Sequence, residues 1–233
     1  MMKKLTAIAI AATLSVGSVS AATFDFGDIA QEFFTSGPKV DGKNYEPTFQ
    51  QFQANGNVSR LTNGGVTVTN ATGSHTNGPA SAFLDSFSGG KPGGLGVCSS
   101  AFLGNGVSSC STNFGPNNDD DNITVGETLK ISFDKRVEFT DIVIRNAGHN
   151  KATGTLLING SEYAVVNGAL AAGAFASIGS GTSFTFAYGG AKATQAYVSL
   201  TSVAPVPLPA AGLLLAGALG GVAALRRRRR AAA

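Results

Sequence analysis

Leu156-Leu157-Ile158-Asn159-Gly160-Ser161-Glu162-Tyr163 sets an Asn-Gly pair between two apolar runs. Both central residues of a type I′ turn need positive φ, which Asn and Gly tolerate. The twist of that turn matches two antiparallel strands, so this stretch predicts a hairpin. Period-two alternation recurs elsewhere. Val66 and Val68 share one face after the Asn63-Gly64-Gly65 turn signal, and Leu129-Lys130-Ile131-Ser132-Phe133 alternates cleanly. Val137-Glu138-Phe139 and Ile142-Val143-Ile144 follow an expected turn at Asp134-Lys135-Arg136. Phe184, Phe186 and Tyr188 alternate with small or polar residues, as do Val198 and Leu200. Roughly seven or eight short strands with no βαβ rhythm predict an all-β body, an antiparallel β-sandwich of jelly-roll-like kind. One short helix is expected from Asp28 to Phe34, with Asp28 as its cap.

Composition agrees with that reading. Gly supplies 31 of 233 residues, and charged residues make up only 13%. Such a chain is turn-rich, and its charge is too sparse for a highly charged disordered segment. The formal net charge of +3 misleads until the charges are placed. With Lys3, Lys4 and Arg226 to Arg230 set aside, ten basic residues face fourteen acidic ones. A body of that balance has no basic face for phosphates, so no nucleic-acid partner is expected.

Both ends read as addresses. Lys3 and Lys4 precede an apolar stretch from Leu5 to about Val16, and small residues follow. Val19-Ser20-Ala21 suits signal-peptide cleavage after Ala21, and cleavage after Ala22 fits nearly as well. At the other end, Val206-Pro207-Leu208-Pro209-Ala210 leads into 16 uncharged residues, Ala210 to Leu225. Five arginines follow, Arg226, Arg227, Arg228, Arg229 and Arg230. As a helix the uncharged span covers about 24 Å. That is short of a ~30 Å hydrocarbon core, but snorkelling arginine stems cover part of the difference. The arginines hold the C-terminus on the cytoplasmic side and leave the body outside. The expected organisation is a signal peptide over 1–21, a β-sandwich body over 22–203 and a C-terminal signal with a transmembrane helix over 204–233.

The tail VPLPAAGLLLAGALGGVAALRRRRRAAA resembles a VPLPA-CTERM sorting signal, a variant of the PEP-CTERM tails of Gram-negative bacteria. Proline motif, Gly/Ala/Leu-rich span and arginine cluster all match in order. The resemblance implies handling by an exosortase, a membrane cysteine protease that recognises the motif and removes the tail. Val206, Pro207, Leu208, Pro209 and Ala210 are then substrate residues. It also implies the company of exopolysaccharide or biofilm matrix. The body resembles mature regions seen with such tails at Gly93-Gly94-Leu95-Gly96-Val97-Cys98, Cys110, Asp119-Asp120-Asp121-Asn122, Gly126-Glu127-Thr128-Leu129 and His149. That likeness implies a secreted β-sandwich and brings no activity with it.

Chemistry-bearing residues are few. Cys98 and Cys110 are the only cysteines, and an even count in an exported chain favours a disulfide. Closing a loop of this length stabilises by roughly 3 kcal/mol in the chain-entropy account. Asn117 to Asn122, with Glu127 beyond, gathers hard oxygen ligands of the kind Ca²⁺ takes. Asp119 and Asp121 are the candidate ligands, because alternate positions turn inward together. The competing reading is a solvated turn before a strand, since Asn and Asp are common turn residues. His149, within Asn146-Ala147-Gly148-His149-Asn150, reads as a surface turn residue, and His75 lies far from it in sequence. No G-x-S-x-G, HExxH, Walker loop or dinucleotide fingerprint occurs. The absence of Trp lowers the glycosidase and lectin readings. The expected function is non-enzymatic: an exported envelope or matrix protein, anchored at the inner membrane by its tail before processing. No cofactor is expected unless Ca²⁺ binds. The competitors are a Ca²⁺-dependent carbohydrate-binding module and, behind it, a secreted hydrolase.

Overall fold

The computed structural model describes residues 21–39, 46–86, 90–99, 122–194 and 196–206. In chain order the elements are β1 (Ala22–Phe24), α1 (Phe26–Ser36), α2 (Phe49–Ala54), a 3₁₀ turn (Asn57–Leu61), β2 (Thr62–Asn63) and β3 (Val66–His75). Then come β4 (Ser81–Asp85), β5 (Gly94–Cys98), β6 (Glu127–Arg145), β7 (Gly154–Ile158) and β8 (Ser161–Val166). The last are β9 (Ala169–Leu170), α3 (Ala174–Ile178), β10 (Ser180–Ala187) and β11 (Tyr197–Pro205). The fold is mostly β, and its main path runs β4-β5-β11-β6-β10-β7-β8-β9. Off this path β1 pairs with β11, and β3 pairs with β2 and β6.

The expected hairpin is β7–β8. Ile158 pairs with Ser161, and the two residues between them have φ of 50° at Asn159 and 80° at Gly160. Asn159 also ties the turn to β10, its amide donating to Thr185 O at 2.8 Å and its Oδ1 accepting from Thr185 N at 3.0 Å. The side chain that permits the turn thus also fixes it against a neighbour.

Asp134-Lys135-Arg136 makes no turn. β6 runs unbroken through it for 19 residues. The first half of the strand, from Glu127, lies between β3 and β10, and the second half, to Arg145, lies beside β11. The three polar residues are exposed where the strand passes from one set of partners to the next. Asp134 stays in the ladder's service, its Oδ1 accepting from Thr67 N at 2.8 Å. Beyond Phe139 the buried positions change parity, from Val137 and Phe139 to Ile142 and Ile144. An irregularity in the β11 pairing falls at the same place, between Ser199 and Ser202. Such a bulge re-aims side chains without ending the strand.

Phe133, Phe139, Phe184 and Phe186 fill the core between these strands, with the Phe139 and Phe184 ring centroids 4.2 Å apart. A second group lies under the helices. Phe26, Ala30 and Phe33 recur at helical spacing and form the buried stripe of α1. Phe33 meets Phe52 of α2 at 5.6 Å. The cap of α1 is Asp25 and not Asp28: Asp25 Oδ1 accepts from Gly27 N at 3.1 Å and Asp28 N at 3.3 Å. Asp28 lies inside the first turn, where a carboxylate suits the helix dipole. Thr48 and Gln51 close a capping box on α2, each side chain bonding the other's backbone amide.

β5 is buried at all five positions and ends at Cys98, which is disulfide-bonded. Cys110, the chain's other cysteine, lies outside the described residues. Protein exported to an oxidising compartment is expected to show no free thiol before reduction. Alkylation and mass measurement check this, and two alkylated cysteines without prior reduction would refute it.

Candidate functional site

Four strands and two loops meet at the end of the sheet where β11 begins. Tyr197 of β11 pairs with Arg145 at the end of β6, and Val198 pairs with Leu95 near the start of β5. Asp85 closes β4 opposite Gly94. The β6–β7 loop brings His149 into this corner, buried, with φ of 59°. A left-handed histidine is uncommon, and such geometry persists only where the surroundings over-determine it.

They do so here. Asn146 Oδ1 accepts from Gly148 N at 3.0 Å and Asn150 N at 3.1 Å, while Asn150 Nδ2 donates to Gly148 O at 3.1 Å. Arg145 Nη1 donates to His149 O at 3.3 Å. The ring of His149 then reaches into the neighbouring loop. Its Nε2 lies 2.8 Å from Asp85 Oδ2, and its Nδ1 lies 3.1 Å from Lys91 O. The ring also sets its edge against Tyr197, with centroids 5.3 Å apart. Lys91 Nζ completes the link between the loops by donating to Asn150 Oδ1 at 2.6 Å.

The partners decide the ring's protons. A carbonyl oxygen only accepts, so Nδ1 carries hydrogen toward Lys91. Nε2 faces the Asp85 carboxylate at the same time, so the ring reaches both neighbours through its two nitrogens. Both ring nitrogens are engaged within the protein. As arranged, His149 offers neither to a metal ion nor to a reacting hydroxyl; it braces two loops.

Gly93 explains part of the glycine-rich run before β5. A side chain there would collide with the Asp85 carboxylate and with the backbone of Asp85 and Ser86. The close approach that lets Asp85 face His149 requires glycine. The first turn of α1 brings Asp28 within electrostatic reach of Arg145. Burial raises the Asp28 carboxyl above its ordinary range, repulsion from Asp25 adds to this, and attraction to Arg145 opposes both.

The expected surface role of His149 is therefore overturned: it is buried and paired. Nothing in the sequence joined it to Asp85. One clue was legible, a lone aspartate ending the apolar run Ala82-Phe83-Leu84. Arg145 and Lys91 were not singled out, since an isolated cation carries no spacing signal.

Of the other expected residues, Ala21 is exposed and Ala22 is a buried member of β1. Val206 lies just beyond β11, its amide donating to Arg136 O at 2.9 Å. Pro207, Leu208, Pro209, Ala210, the five arginines, Asp119 and Asp121 lie outside the described residues. Glu127, at the edge of the acidic stretch, is buried and serves its own turn: its Oε2 accepts from Thr124 N at 2.8 Å and Thr124 Oγ1 at 2.9 Å. His75 Nδ1 accepts from Asn77 N at 2.9 Å. Among the described residues, no group of three or more His, Cys, Asp or Glu is placed to hold a metal ion. Among them too, no helix is long and apolar enough to cross a membrane. No protein family, no curated protein and no solved structure matches this chain.

Proposed function

We propose that this is an exported protein of the cell envelope or extracellular matrix, held by its C-terminal tail and then processed by an exosortase. The observation that carries the reading is the order of the tail: VPLPA, an uncharged span, five arginines. The motif starts at Val206, where the last strand ends, so the folded body and the signal are adjacent along the chain. The body is then a structural or adhesive β-sandwich of jelly-roll-like wrapping. A non-catalytic body suits the one buried His–Asp pair among the described residues, because neither ring nitrogen is left for a substrate. Exopolysaccharide is the partner this reading favours.

Two tail variants separate the tail's parts. Arg226 to Arg230 replaced by alanine removes the charge that stops translocation and sets topology. Each arginine costs about 2.5–3.5 kcal/mol at the bilayer centre on insertion scales, so five together form a strong barrier. Their loss is expected to let the short span slip through or insert poorly. Pro207 and Pro209 neither carry charge nor span the bilayer. Their replacement by alanine is expected to leave insertion intact and block tail removal, so that full-length chain accumulates in the membrane fraction. Fractionation with intact-mass measurement reads both outcomes. A proline variant processed like the parent would reduce VPLPA to a linker and end the sorting proposal.

A further inference from the structure

Six Asn-Gly pairs occur in the chain, beginning at Asn55, Asn63, Asn77, Asn105, Asn159 and Asn167. All but Asn105-Gly106 lie within the described residues. In four of the described pairs the backbone itself calls for glycine: φ is 81° at Gly56, 53° at Gly64, 80° at Gly160 and 80° at Gly168. Gly78 is the exception. Its φ lies outside the left-handed region, and a Cβ there would meet no atom within 4 Å. Neither conformation nor packing explains a glycine after Asn77.

An Asn-Gly pair is also a reactive unit, because no Cβ shields the glycine amide from the asparagine side chain. We infer that Asn77 is a self-modification site, converted by water to aspartate and isoaspartate through a cyclic imide with Gly78. The Gly78 backbone nitrogen gives up its proton and bonds to Asn77 Cγ; the Cγ–Nδ2 bond breaks and the nitrogen leaves as ammonia, carrying that proton. Water then opens the ring at either carbonyl, so the net change is amide and water to acid and ammonia. The other described pairs are restrained. Asn55 Nδ2 donates to Gln51 O at 2.7 Å, Asn63 Nδ2 donates to Thr23 O at 2.9 Å, and Asn159 Oδ1 accepts from Thr185 N at 3.0 Å. After Asn167, the attacking amide of Gly168 is buried and donates to Ala152 O at 2.7 Å. Asn77 is exposed, and its hydrogen bond to His75 Nδ1 comes from its backbone, so its side chain has no partner among the described residues. Gly78 meets His75 in an isolated bridge across the β3–β4 turn and has no other tie among those residues. The isoaspartate product lengthens the main chain between the two bridged residues, and either product sets a carboxylate two residues from His75. None of this depends on the sorting reading.

The test ages the purified folded chain in mildly alkaline buffer made with heavy-oxygen water, which labels only sites converted during the incubation. Peptide mapping by mass spectrometry then follows each Asn-Gly pair over time. Conversion at Asn77 is expected to run severalfold ahead of Asn55, Asn63, Asn159 and Asn167. Conversion at any of those four as fast as at Asn77, or no conversion at Asn77, overturns the proposal. Gly78→Ala is the second arm. With open space and an ordinary φ, this variant is expected to melt with the parent and to lose the conversion at Asn77. A variant that converts like the parent removes Gly78 from the chemistry. One that melts well below the parent shows that the turn needs its glycine, and either result overturns the inference.

Discussion

Phe139→Ala is expected to remove about 3–5 kcal/mol of stability, the usual range for deleting a buried phenylalanine. Phe139 is buried and meets Phe184 at 4.2 Å, Phe133 at 6.2 Å and Phe186 at 6.2 Å. Its loss therefore combines the transfer term with a cavity walled by rigid rings, which close in poorly. Most domains of this size hold only about 5–15 kcal/mol, so the variant should approach the threshold of folding. A urea midpoint far below the parent's, with unchanged m-value, is the expected readout. Phe139→Leu refills part of the space and should cost distinctly less. A loss under about 1 kcal/mol for the alanine variant would show that this cluster is not the core.

Asp85→Ala is the second large effect. The side chains of His149 and Asp85 are only 7% and 6% exposed, which excludes the weak, solvent-screened class of ion pair. Removing one partner of a buried pair leaves the other uncompensated, at a cost of about 3–5 kcal/mol. The thermal midpoint should fall by roughly 6–20 °C at the usual sensitivity of a chain this long. A double-mutant cycle carries the sharper test. Once Asp85 is gone His149 has lost its buried partner, so adding His149→Ala should cost far less than it does alone. Additivity to within about 0.5 kcal/mol would mean that the two side chains do not act together.

Strand content was legible because alternation is a local signal. Val66 to Val68, Leu129 to Phe133, Phe184 to Phe186 and Val198 to Leu200 all lie in the strands their spacing predicts. The Asn159-Gly160 turn was legible for the same reason. Asp134-Lys135-Arg136 misled because consecutive polar residues look alike in a turn and in a strand that changes partners in the open. β5 was missed because a strand buried at every position has no alternation to show. The Thr48-x-x-Gln51 signature of α2 was present in the sequence, but six residues give no helical period to read beside it. The buried pair was hidden altogether, since Asp85 and His149 meet only through the topology of β4, β5, β6 and β11. The tail motif is the reverse case: read from sequence alone, it depends on no packing.

β11 is the last of the described strands, yet it lies between β5 and β6 rather than at an edge. An emerging chain therefore holds an open slot until residue 205 is there to fill it. Pairings between strands so far apart in sequence form slowly. Both facts keep the earlier strands from closing into a finished sheet while the chain is still incomplete. Arrival of β11 then works as a completion signal: the sheet shuts only when the chain has been made through to residue 205.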